Sequence, residues 1–207
     1  MTCAEFWGLI IQAAVAAGTI VVVILAIWGN LIRSRFAGPK LKISLRHPQG
    51  ELNYIRDGTP ARYYHLNVVN NRRGAQAKNV RVVLTRLLKS APDSKLVNQT
   101  LSGPLQLTWQ FPHIHPQYPT IGPDDICDLG NLIKGQNFVL TSYILPNNFM
   151  GFVSPDEKMR VEMIAIADNA ESNVLCVEVF WDGLWSDDAV QMQKHLVISE
   201  VTGQGGC

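Results

Sequence analysis

Charge is what this sequence has least of. Asp, Glu, Lys and Arg make up 17% of its 207 residues and balance to a net charge of +1. So small a balance gives no reason to expect nucleic acid or a strongly acidic substrate. The shortage is most acute from Phe6 to Ile32, where no charged residue occurs. Motifs that carry chemistry are missing as well. There is no Gly-x-Ser-x-Gly nucleophile elbow, no phosphate-binding glycine loop and no dinucleotide fingerprint. The four cysteines, Cys3, Cys127, Cys176 and Cys207, form no C-x-x-C pair, which argues against a zinc or redox motif. No internal repeat is evident. Nothing favours an enzyme, and no cofactor or metal is expected.

What is present begins with the uncharged stretch itself. Between Phe6 and Trp28 only Gln12 and Thr19 are polar. At 1.5 Å per helical residue the stretch is roughly 30 Å long or slightly more, the thickness of a bilayer's hydrocarbon core. Trp7 and Trp28 sit at its ends, where amphipathic rings favour the water–lipid interface. Residues 6–32 therefore read as a transmembrane helix whose partner is the lipid bilayer. The five residues before it contain an acid and no Lys or Arg, so they lack the basic start of a secretory signal, and cleavage is not expected. After it, residues 33–50 carry Arg33, Arg35, Lys40, Lys42 and Arg46 and no acidic residue. Basic residues at a helix end are retained on the cytoplasmic side. The expected topology is a single pass through the inner (plasma) membrane, with the N-terminus outside and the following domain in the cytoplasm. The alternative is a domain outside the cytoplasm. Ala13, Ala14, Ala17 and Gly18 form small-x-x-x-small pairs that suit a homodimer through the span, although such pairs also arise in spans by chance.

Behind the anchor the sequence divides into a short linker (33–39), a domain (40–202) and a tail (203–207), with residues 1–5 as an N-terminal tail. The domain alternates with period two in several places. In residues 40–46, Leu41, Ile43 and Leu45 face one way and Lys42, Ser44 and Arg46 the other. Residues 62–70 and 79–88 alternate similarly and flank Asn71-Arg72-Arg73-Gly74, which predicts a hairpin. Residues 105–111 alternate next, then a proline-rich connection runs from 112 to 125. Residues 128–135 read as a turn, 138–145 as a strand and 146–155 as a loop. Residues 158–167 and 173–181 should pair. Ser186 is the expected N-cap of a short helix over 187–195, and 196–201 of a last strand. Cys127 and Cys176 both lie in apolar strand-like runs. Two buried thiols are expected there, and a disulfide between them is the alternative. The pattern predicts a mainly β fold.

The stretch LNVVNNRRGAQAKNVRVVL, residues 66–84, resembles the strand–turn–strand of CARDB-type and related immunoglobulin-like β-sandwiches. Asn70, Gly74, Ala77, Asn79 and Val80 occupy the matching places. The resemblance implies an antiparallel immunoglobulin-like β-sandwich, preceded here by one N-terminal transmembrane helix and carrying one short C-terminal helix. It also implies adhesion or interaction rather than catalysis, and the rest of the chain is similar to small bacterial single-pass membrane proteins.

Candidate binding residues are therefore sought in the loops of the sandwich. The proline-rich connection carries Phe111, Ile114 and Tyr118, and the 146–155 loop carries Phe149 and Phe152. These aromatic groups either cap the ends of the core or meet a protein partner. His113 and His115 share one side of an extended segment, so with Asp124, Asp125 or Asp128 they raise the alternative of a two-His, one-carboxylate metal site in a hydrolase. The pairs Asp124/Asp125 and Asp187/Asp188 fit a turn and a helix start better than acid–base work. The expected function is a protein-interaction or scaffold module held at the cytoplasmic membrane face.

Overall fold

The computed structural model describes residues 3–72, 74–90, 95–101, 103–113 and 116–201, and within the first helix the side chains of residues 6–29. The chain separates into two units, Met1–Gly38 and Pro39–Cys207.

The first unit is one helix, α1 (Cys3–Ala37). Within it Phe6–Gly29 has a mean hydropathy of 2.6 and is long and apolar enough to cross a membrane or to serve as a signal sequence. The helix runs past residue 32 through most of the expected linker. Nothing in residues 33–37 breaks it, and Gly38-Pro39 is the first pair that would.

The second unit is mainly β. Its strands are β1 (Leu41–Leu45), β2 (Glu51–Tyr54), β3 (Pro60–Asn70), β4 (Arg81–Ser90), β5 (Leu96–Gln99), β6 (Leu105–Gln106) and β7 (Asp124–Ile133). They continue as β8 (Phe138–Leu140), β9 (Phe152–Val153), β10 (Glu157–Ala167), β11 (Ala170–Glu171) and β12 (Leu175–Trp181), followed by helix α2 (Ala189–His195) and β13 (Leu196–Glu200). One sheet has the order β1-β3-β7-β8-β9, with β2 also on β3. The other has the order β13-β12-β10-β4-β5, with β11 on β10 and β6 on β4. Among the described residues the strand pairings are antiparallel throughout, and the two sheets share one core. Tyr64, Leu66, Val68, Leu129 and Phe138 enter it from the first sheet, and Val82, Leu84, Val161, Met163 and Val177 from the second. Period-two alternation does this: along β10, Met159, Val161, Met163 and Ala165 are fully buried, with partly exposed residues between them.

Several expectations needed correction. Residues 62–70 and 79–88 do not form a hairpin, because β3 and β4 belong to different sheets. The connection is too long for a tight turn. Ala77 instead bridges Ile121, and Asn79 takes a left-handed conformation (φ 53°) as the chain crosses over. Residues 128–133 are not a turn but the second part of β7, a central strand, and the turn is confined to Lys134 and Gly135. Gly130 misled there. Its lack of a side chain serves close packing: a Cβ would lie 2.5 Å from the Val139 carbonyl oxygen and 2.6 Å from Phe138 Cζ. Residues 105–111 pair as a strand only at Leu105–Gln106. Beyond it Leu107 bridges Ser142 and Trp109 bridges Cys127, so the segment passes from one sheet to the other. Asp188, not Ser186, caps α2, its carboxylate accepting from the Gln191 N–H. Cys127 is a free, fully buried thiol, as expected; Cys176 is only partly buried and is disulfide-bonded, though not to Cys127.

Candidate binding cleft

An open cleft of about 360 Å³ lies on the outward face of the first sheet. Strands β2, β3 and β7 form its floor, and the start of the proline-rich connection forms its wall. Glu51, Leu52 and Asn53 come from β2, Tyr63 and His65 from β3, Asp128 from β7, and Gln110, Phe111, Pro112 and His113 from the wall. Register explains the grouping. Glu51 pairs with Tyr63, and His65 pairs with Asp128, so these four side chains share the face opposite the core.

His65 is the centre of the site. It is 6% exposed, and its Nδ1 lies 2.8 Å from Asp128 Oδ1. A neutral ring that donates through Nδ1 leaves Nε2 as a lone pair. Nε2 stands 3.7 Å from Glu51 Oε2, longer than a hydrogen bond. Above it Phe111 is 54% exposed and held at φ 58°, a conformation that bulky residues rarely adopt. Its ring meets the His113 ring edge to face at 6.4 Å.

The structure thus brings Phe111 and His113 together, and it adds Glu51, Tyr63 and His65, which sequence reasoning missed. A signal existed: Tyr63 and His65 are the polar-face positions of a strand whose alternate residues, Tyr64, Leu66 and Val68, build the core. Ile114 and His115 lie outside the described residues, as do the side chains of Arg33 and Arg35. Tyr118 is 45% exposed but does not line the cleft. Trp7 and Trp28 are exposed on α1. Among the described residues, no group of three or more His, Cys, Asp or Glu is placed to hold a metal ion. Asp187 and Asp188 have structural tasks: one carboxylate accepts from Trp185 Nε1, the other caps α2.

Phe149 and Phe152 belong elsewhere. Phe149 is half-buried against the core, beside a separate pocket of about 240 Å³. Phe152 carries the Lys89 ammonium over its ring, 3.5 Å from the centroid. Lys89 is buried and pairs with Glu157 at 3.0 Å. Burial pushes the Glu157 carboxyl up, but the Ser154 backbone N–H and the Lys89 ammonium outweigh it and hold it below its ordinary value. Glu178, bonded to Arg160 and Lys158, is held low in the same way against burial, and so is Asp182 beside His195. Lowered folded-state values mean that these groups add stability above the unfolded carboxylate range and lose it as pH falls through the folded values. The urea midpoint is therefore expected to hold steady near neutrality and to drop below about pH 4.5, and Glu157→Gln should shallow that drop. A midpoint that rises on acidification would contradict the assignment.

Comparison of the sequence with known protein families and with curated proteins returned no match.

Proposed function

We propose that this chain is a single-pass membrane-anchored, immunoglobulin-like β-sandwich that acts as a protein-interaction or scaffold module at the cytoplasmic membrane face. The observation that carries the reading is the cleft beneath Phe111. A large aromatic side chain is held exposed, in a strained backbone conformation, beside a buried histidine and two carboxylates. Exposed apolar groups rimmed by polar ones mark interaction sites. Support for an immunoglobulin-like arrangement comes from the two antiparallel sheets and from the crossover between β3 and β4. Support for the anchor comes from the length and hydropathy of Phe6–Gly29.

A photo-crosslinking residue at Phe111 should yield a discrete adduct in cells, whereas one at Val174, which is also exposed, should not. Equal, diffuse labelling at both positions would defeat the interaction reading. The second reading places the domain in an oxidising compartment, as an envelope-binding domain, and the disulfide at Cys176 favours it. An impermeant thiol reagent separates the two when applied to intact cells. In a Cys176→Ser background, chains retaining only Cys3 or only Cys207 beside the buried Cys127 would be compared. The cytoplasmic reading expects Cys3 modified and Cys207 protected, and the reverse pattern establishes the second.

A further inference from the structure

Acceptors dominate the cleft. Asp128 Oδ1 is engaged by His65, and among the described residues Oδ2 has no hydrogen-bond partner. His65 Nε2 stands 3.7 Å from Glu51 Oε2, beyond hydrogen-bond range, so among the described residues the Glu51 carboxylate has no hydrogen-bond partner. His65 is 6% exposed and lines the open cleft, and among the described residues its Nε2 makes no hydrogen bond. No Lys or Arg is among the residues lining the cleft, while Tyr63, Phe111 and His113 offer ring faces around it. Two carboxylates and the aromatic faces together select a flat cation with several N–H donors. A guanidinium fits better than an ammonium, because its fork reaches two acceptors at once and its plane stacks on rings.

The floor of the cleft also has an open side. Among the described residues β2 pairs with β3 alone, and all four of its residues are exposed. An edge strand with unpaired backbone groups accepts an extended chain by strand addition. A guest residue opposite Glu51 would project its side chain onto the outward face, where the acceptors are.

We propose that the cleft receives the guanidinium of an arginine in an extended segment of the partner protein, laid along the free edge of β2. This rests on the interaction-module reading and names the chemistry of its partner. The full chain in detergent micelles can be titrated with fluorescent, end-blocked peptides of sequence Thr-Val-Thr-X-Thr-Val-Thr, where X is Arg, Lys, Gln or Glu. The arginine peptide should bind at least about tenfold tighter than the glutamine peptide, with lysine between them and glutamate weakest. Glu51→Gln, at an exposed position, should reduce the arginine preference while leaving thermal unfolding unchanged, and Asp128→Asn should reduce it further. N-methylation of alternate peptide bonds in the arginine peptide should weaken binding, because strand addition needs those donors. Equal binding of the arginine and glutamine peptides, or an arginine preference that survives both substitutions, overturns the proposal. So does zinc binding that needs His65 and Glu51, which would make the cleft a metal site. Failure of every peptide also overturns it. The crosslinking result at Phe111 would then decide separately whether the interaction-module reading survives.

Discussion

Arg62→Ala is expected to lower the stability of the Pro39–Cys207 unit by about 4 kcal/mol, a large part of the roughly 5–15 kcal/mol of a typical domain. Arg62 sits on β3, two residues before Tyr64 and on the same inward face, and is 1% exposed. Among the described residues no carboxylate neutralises it. Its Nη1 donates to the Gln49 and Gly50 carbonyls at 3.1 and 3.3 Å, and Nη2 to the Asp187 carbonyl at 2.8 Å. One guanidinium thus ties the β1–β2 turn to the loop before α2, a sequence separation of 125 residues. Alanine would leave those carbonyls unpartnered and open a cavity, and both effects are costly in a buried site. Lysine keeps the charge, but a single ammonium on a flexible stem does not reproduce the fork, so Arg62→Lys should recover only part of the loss. Thermal unfolding is the measurement. At about 2–4 °C per kcal/mol for a domain of this size, the alanine variant should melt roughly 10 °C lower. A fall of less than about 3 °C would mean that these hydrogen bonds contribute little net stability. An Arg62→Met variant separates packing from hydrogen bonding, because it fills much of the space and supplies no donor.

Gly130→Ala should cost about 2–3 kcal/mol, although it adds a single methyl group. Gly130 pairs with Tyr64 on one side and Leu140 on the other, in the middle of the first sheet. The added Cβ would sit 2.5 Å from the Val139 carbonyl oxygen and 2.6 Å from Phe138 Cζ. The ring has some freedom to give way. The carbonyl belongs to the strand backbone and does not. Combining Gly130→Ala with Phe138→Leu would remove the ring contact and leave the carbonyl contact, so the double variant should regain no more than part of the loss. A Gly130→Ala chain as stable as the parent, measured by urea denaturation, would show that β7 and β8 can separate without penalty.

These two residues show why the sequence was readable in some places and not in others. Period-two alternation in β1, β3, β10 and β12 could be read directly, because each buries one face on the shared core. The pairing of β10 with β12 followed from their short connection. What alternation cannot reveal is which sheet a strand joins, so residues 62–70 and 79–88 looked like a hairpin. Gly130 and Asn131 are turn residues by composition, and only the Val139 carbonyl and the Phe138 ring explain why a glycine stands in a central strand. The cleft was half visible for a related reason. Phe111 and His113 stand out in a proline-rich loop, but Glu51, His65 and Asp128 converge through the register of β2 and β3 with β7, which lies far along the chain. The buried Arg62 gave no local sign at all, since an arginine in a strand usually faces water.

The crossover between β3 and β4 has a temporal consequence. Tyr64 waits for Gly130, and Val83 waits for Ile164, before either strand gains its long-range neighbour. Adjacent strands such as β2 and β3 or β7 and β8 can pair early, but the central pairings β3–β7 and β4–β10 must close long loops before sheet contacts repay the lost chain entropy. Proteins dominated by such distant pairings fold in about milliseconds to seconds rather than microseconds. On a ribosome making about 5–20 residues per second, β3 emerges several seconds before β7. During that interval the edge of β3 that β7 will cover is open to any neighbouring strand, and the newly made chain is at its most vulnerable to mispairing.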